Sequence, residues 1–242
     1  MQDHIRRPGS FSRSTFWLSM IFATTLTAIV TTAAVAYISV LRIPPFRRLY
    51  DMVRLIKPED PRTNVNFGAL VPINNAKPLS APVTLTGDSN IQYGPWQDVL
   101  TQRVDNHGIA GDTTSGLLIR LRTGEKSAGT VGIMIGINDP SAAITLAQTE
   151  ANFREILKLM GPRRIVVISP LVTAMAKRNS QIVAIRQTEQ RLCASLPNCT
   201  FVNIGPSFET NGALRASYTH DGVHLSWSGY QKLGNILNKA LF

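Results

Sequence analysis

From residue 82 to the C-terminus, short apolar runs alternate with longer segments of helical pattern. Val83-Thr84-Leu85-Thr86, Val131–Ile135, Ile165–Ser169 and Thr200–Ile204 read as buried strands, and residues 141–160, 177–195 and 225–241 read as helices. Strands alternating with helices of this length predict an α/β fold, a three-layer α/β/α sandwich with a central parallel sheet of flavodoxin-like type. About 160 residues suffice to bury roughly 70% of the surface of the unfolded chain, so residues 82–242 are expected to form a self-sufficient domain.

The N-terminal pattern is different. Residues 16–41 carry no charged side chain across 26 positions. As a helix rising ~1.5 Å per residue, the run reaches about 39 Å, enough to cross a ~30 Å hydrocarbon core with tilt. Trp17 and Tyr37 suit the two interfaces. A cleaved signal peptide competes, since Ala34-Val35-Ala36 resembles a cleavage site, but the run exceeds the usual ~7–15 residues of a signal core. The expectation is therefore a basic tail over 1–15 and one uncleaved transmembrane anchor over 16–41. Residues 42–81, with Pro44, Pro45, Pro58, Pro61, Pro72, Pro78 and several Asn, read as a linker with a short helix around 46–56.

Composition narrows the partners. The 242-residue chain is 44% hydrophobic and 17% charged, which excludes a disordered chain. Its net charge of +10 divides into +6 over residues 1–81 and +4 over residues 82–242. The excess lies beside the apolar run, so anionic lipid is a better partner for it than nucleic acid, for which no zinc-finger, RNA-binding or basic-helix motif is present. Two cysteines, Cys193 and Cys199, are too few for a disulfide scaffold or a four-cysteine zinc site, but they suit one bridge in an oxidising compartment. The turn between them, with Pro197 and Asn198, can bring the Cα atoms to disulfide range. The cysteine pair argues for residues 42–242 outside the cytoplasm, against a near-tied balance of flanking Arg and Lys. No His/Cys/Asp cluster has metal-ligand spacing, and no dinucleotide or P-loop fingerprint occurs, so neither metal nor cofactor is expected.

Four segments carry chemistry. Gly87-Asp88-Ser89 follows the first strand, where α/β folds place ligands, although it is also a common turn composition. Asn106 to Thr114 contains Gly108 and Gly111, whose N–H groups can approach a ligand, and Asp112 or Thr113 can cap a following helix. Gly136-Ile137-Asn138-Asp139 places an amide side chain at a strand end, suited to donating to a developing oxyanion, or simply forms a strand-to-helix turn. Thr219 to His224 supplies a base and an orienting carboxylate three residues apart, Asp221 and His224, with His220 as rival base.

In this order the segments resemble the four sequence blocks of the SGNH (GDSL-type) hydrolase family, over residues 82–240. The resemblance implies Ser89 as nucleophile and, through its N–H, an oxyanion donor; Gly111 and Asn138 as the other donors; His224 as general base; and Asp221 as its orienter. Two positions depart from the pattern: Asn90 stands where the family nickname expects Leu, and His107 stands where related sequences often have Arg. Asn90 is read as outside the chemistry, and His107 either edges the pocket or is a packed or solvated histidine. The implied activity is ester hydrolysis through an acyl-serine, on acetylated carbohydrate in first place. A lysophospholipase or thioesterase acting on longer acyl chains is the rival, as is a glycan O-acetyltransferase using the same triad.

Overall fold

The structure, a computed structural model, describes residues 59–242. The expected anchor over 16–41, the basic tail and the helix around 46–56 lie outside the described residues. Among the described residues, no helix is long and apolar enough to cross a membrane.

Five strands form one parallel sheet: β1 (Val83–Gly87), β2 (Val104–Gly108), β3 (Thr130–Met134), β4 (Arg164–Ile168) and β5 (Cys199–Val202). Their spatial order is β2-β1-β3-β4-β5. Alternate residues of the same strand serve opposite faces, as the pleat requires. Val131, Ile133, Ile165 and Val167 pack with helices α4 (Thr114–Arg122), α5 (Leu146–Met160) and α6 (Asn179–Ala194) through Leu117, Phe153, Ile156 and Leu192. Met134, Val166 and Ile168 face the other way, onto Leu233, Leu237 and Leu241 of α8 (Trp227–Leu241) and onto Trp96 of the short helix α3 (Trp96–Val99). Both faces of the sheet are thus covered, which is why its strands read as continuous apolar runs.

The elements expected from residue 82 onward are all present, within five residues at their ends. The helix expected from 141 begins at Leu146 because Thr145 caps it in a reciprocal box with Gln148, after a residue, Ala143, in left-handed backbone. The hydrophobic pattern predicts no strand at β2. Its Asp105 and Asn106 look unlike strand residues, yet Asp105 accepts from the backbone of Ser80 and Ala81, and Asn106 donates to the Ile91 and Gln92 carbonyls. Polar side chains with fixed partners can sit in an edge strand, and β2 is one. Within the stretch expected as linker, Val65–Ala76 forms helix α1, capped by Asn64. It is held to the domain by buried Phe67 and by the Asn64 amide, which donates to the Ala110 carbonyl at 2.9 Å. A small antiparallel pair, β6 (Glu209–Thr210) and β7 (Ala213–Leu214), turns on Asn211 and Gly212, both at positive φ. The remaining short helices are α2 (Ser89–Gln92) and α7 (Gly205–Phe208).

Cys193, at the end of α6, is bonded to Cys199, which starts β5, across a Cα–Cα distance of 5.3 Å.

Candidate active site

The strand order brings the predicted residues together. β1 lies between β2 and β3, so the turns leaving the carboxyl ends of these three strands are neighbours. They carry Ser89, Gly111 and Asn138 respectively, and this end of a parallel sheet is where such folds bind ligands.

Ser89 is the first residue of α2, capped by the Asp88 carboxylate, which accepts from the Asn90 N–H at 2.9 Å. As a first helical residue its N–H has no partner inside the helix and is available to a ligand. Gly87 cannot be replaced cheaply: a Cβ there would stand 1.9 Å from the Met134 carbonyl oxygen. Gly111 adopts φ +77°, a left-handed conformation that turns the chain sharply after Ala110. The Asn138 Nδ2 donates to the Asp112 carbonyl at 2.9 Å.

The second half of the site arrives from the other end of the chain. His224 Nε2 lies 3.0 Å from Ser89 Oγ, and His224 Nδ1 lies 2.5 Å from Asp221 Oδ2. Asp221 Oδ1 also accepts from the backbone N–H groups of Val223 and His224. Burial pushes the Asp221 carboxyl upward, but the bonds from the His224 ring and from the two backbone N–H groups outweigh it and hold the group well below the usual carboxylate range. The turn is closed by Thr219, whose hydroxyl donates to the His224 carbonyl and accepts from the Gly222 N–H, and by the Ala174 N–H donating to Gly222 O at 2.7 Å. His220, the rival base, lies 3.7 Å from Asp221 and stacks on the His224 ring at 6.0 Å; the nitrogen facing Ser89 belongs to His224. Tyr93, half exposed, meets the His224 ring edge-on at 5.5 Å.

Asn90 is more than a spacer. It is fully buried; its Oδ1 accepts from the Leu225 N–H at 3.4 Å and its carbonyl accepts from the Tyr230 hydroxyl at 3.0 Å. The residue after Ser89 therefore holds the histidine turn and α8 against the serine turn, a role that reading it as outside the chemistry left out. His107 is buried 3.7 Å from Glu125, so it packs inside the domain and does not edge the pocket.

A buried ionic cluster behind the site was not legible in the sequence. Arg120, with no exposed surface, lies 2.9 Å from Asp112 and 2.7 Å from Glu125, and donates to the His107 carbonyl. Arg120 and Thr86 tie this cluster to β1. Burial raises Asp112 to about 6 in spite of Arg120, and raises Asp88 to about 7, helped by the charges of Asp112 and Asp139. Glu125 is held below its usual value, since Arg120 and His107 outweigh its burial.

Among the described residues, His220, Asp221 and His224 offer three ligand atoms within 4.8 Å of one another. Both ring nitrogens of His224 are already engaged, with Ser89 and Asp221, so the trio fits proton transfer better than a resident metal.

The profile of the GDSL-like Lipase/Acylhydrolase family matches residues 80–232. Human platelet-activating factor acetylhydrolase IB subunit alpha2 is 24% identical over 180 residues, covering 69% of this chain and 79% of the relative. Rat subunit alpha1 is 26% identical over 184 residues, covering 70% and 78%. Among solved structures, a GDSL-like lipase from Bacteroides thetaiotaomicron aligns with a TM-score of 0.60 at 22% identity, over 73% of this chain and 97% of the other. The lipase/acylhydrolase from Enterococcus faecalis aligns at 0.56 and 23%, over 66% and 95%. At these identities the solved structures speak to the fold alone.

Proposed function

For a chain that belongs to the GDSL-like lipase/acylhydrolase family, and is accordingly a serine ester hydrolase, we propose an acyl-serine mechanism that removes short acyl groups, acetyl foremost, from carbohydrate. The observation that carries the mechanism is the continuous line from Asp221 through His224 to Ser89 Oγ. With the Nδ1 proton held by Asp221, His224 presents its Nε2 lone pair to the serine hydroxyl. His224 takes the proton as Ser89 attacks the ester carbonyl, then returns it to the leaving alkoxide. Water, activated by the same nitrogen, releases the acid. The developing oxyanion is received by the N–H groups of Ser89 and Gly111 and by the Asn138 amide, which has a second N–H beyond the one given to Asp112.

The acetyl preference is supported by the names of the relatives, acetylhydrolase subunits. Tyr93, exposed beside His224, offers an aromatic face on which a sugar alcohol can rest. The anchor over 16–41 and an extracytoplasmic catalytic domain belong to the same proposal; the Cys193–Cys199 bond supports an oxidising compartment. A reporter fused after Phe242 that is active only in the cytoplasm overturns that placement.

The test is a p-nitrophenyl ester series from acetate to decanoate, with the full chain in detergent. A short acyl site forfeits the ~0.8 kcal/mol available per buried CH₂, so kcat/KM falls steeply beyond propionate. A maximum at octanoate or longer rejects the acetyl reading in favour of a lysophospholipase or thioesterase. Offering acetylated glycan with acceptor sugar separates hydrolysis, which yields free acetate, from transfer, which yields a new ester.

A further inference from the structure

Beside the site lies a cavity of about 400 Å³, in the range of small-molecule pockets. Its wall includes Asn138, one of the proposed oxyanion donors, and Val223, which directly precedes His224, so it adjoins the reacting centre. Ile137 and Ile182 belong to an apolar cluster that Val223 joins. On the same cavity stand two cations, Lys177 and Arg178, from the 3-10 turn Ala176–Arg178 that leads into α6.

Among the described residues neither Lys177 nor Arg178, both exposed, forms an ion pair with a carboxylate. Arg178 instead meets the Ser141 hydroxyl, which also lines the cavity, a neutral partner that orients the guanidinium and leaves its charge uncompensated. The 16-residue helix α6 starts directly after Arg178 without a side-chain cap, and adds the positive end of its dipole to the same wall. A neutral ligand that covers this wall strips water from two unpaired cations with nothing in return, whereas an anion replaces that water with charge-assisted bonds.

We infer that this cavity holds the alcohol portion of the substrate, and that this alcohol carries an anionic group, a carboxylate or a phosphate, received by Lys177 and Arg178. The inference rests on the short-acyl reading above: with only an acetyl group on the acyl side, the alcohol is the part of the substrate large enough to occupy the cavity. The substrate class is then an acetyl ester of an acidic or phosphorylated sugar, not of a neutral one.

The experiment compares three phenyl acetates that share one shape around the ester: methyl 4-acetoxybenzoate, 4-acetoxybenzoate and 4-acetoxyphenyl phosphate. The measured quantity is the ratio of kcat/KM for each anion to that for the neutral ester, in the full chain and in the Lys177→Gln/Arg178→Gln double variant. Using a ratio cancels differences in folded fraction. Hydrogen bonds to charged groups are worth enough for the ratio to fall about tenfold in the double variant. It is retained in Lys177→Arg/Arg178→Lys, and in the wild type it shrinks as ionic strength rises from about 0.01 to 1 M. Whichever anion's ratio falls further from wild type to the double variant identifies the group, since that change cancels the different leaving-group reactivities of the three esters. An unchanged ratio in the double variant, with acetates still hydrolysed, overturns the anionic subsite and leaves the esterase reading standing. Failure of the wild type to hydrolyse any of the three overturns both.

Discussion

The side-chain amide of Asn138 donates to the carbonyl of Asp112, tying the turn after β3 to the turn after β2. One N–H of the amide is spent on this bond, and the second remains for the proposed oxyanion. Gly111, whose N–H is the other proposed oxyanion donor, directly precedes the accepting residue, so in the proposed mechanism one bond couples the two donors.

Asn138→Ala therefore removes a donor and loosens a second. kcat on p-nitrophenyl acetate is expected to fall on the order of 10²–10³, with KM little changed. Ser89→Ala abolishes turnover. Steady-state kinetics of the two variants check both, and full activity in Ser89→Ala is incompatible with the mechanism.

In the proposed mechanism Asp221 fixes the His224 tautomer; its other oxygen organises the turn by accepting from the Val223 and His224 N–H groups. Asp221→Asn preserves an acceptor for those N–H groups but presents the wrong partner to Nδ1. The expected loss is on the order of 10⁴ in kcat, with unfolding by circular dichroism close to wild type.

Asp88 gives a pH signature of stability. Burial raises it from 3.8 to about 7 in the folded protein. Between those values the folded state keeps a proton that the unfolded chain has released. The stability from the neutral carboxyl is fully present below about pH 4 and is lost as pH rises through 7. Asp88→Asn keeps a neutral group and the acceptor for the Asn90 N–H. The Tm of the wild type, relative to this variant, is expected to decline from pH 4 to 7 and then level off. Parallel Tm curves refute the assignment.

Arg120 is the sole cation between Asp112 and Glu125 among the described ion pairs, and all three side chains are fully buried. Arg120→Leu removes the guanidinium that Asp112 and Glu125 share, leaving Glu125 only His107 and Thr86, and is expected to cost about 3–5 kcal/mol in urea unfolding. Arg120→Lys is not a rescue, because a single ammonium cannot span both carboxylates and the His107 carbonyl.

The Cys193–Cys199 bond closes a short loop, with a sequence separation of 6. Chain-entropy reasoning gives roughly 2–3 kcal/mol at most for such a loop. Reductant is expected to lower Tm by a few degrees without stopping catalysis. Protein purified without reductant is expected to show no free thiol on titration.

The alternation of apolar strand and helix segments alone determined the layered parallel fold, because burial on both faces writes itself into each strand as an uninterrupted apolar run. The four chemical segments were legible for a related reason: a serine, a glycine, an amide and an Asp–His pair each need a specific residue type at a strand end or tight turn. Their meeting was implied by the family resemblance alone, not by pattern or spacing. Ser89 and His224 are 135 positions apart, and only the order β2-β1-β3, with Asn90 holding Leu225 and Tyr230, brings the two turns within 3.0 Å. Helix α1 and strand β2 were hidden because their polar residues, Asn64 and Asn106 among them, find partners far along the chain. The Arg120 cluster and the paired silence of Lys177 and Arg178 are likewise products of tertiary structure. Whether a charge is neutralised depends on what stands across from it in space, and that is decided by the packing of elements rather than by the order of residues.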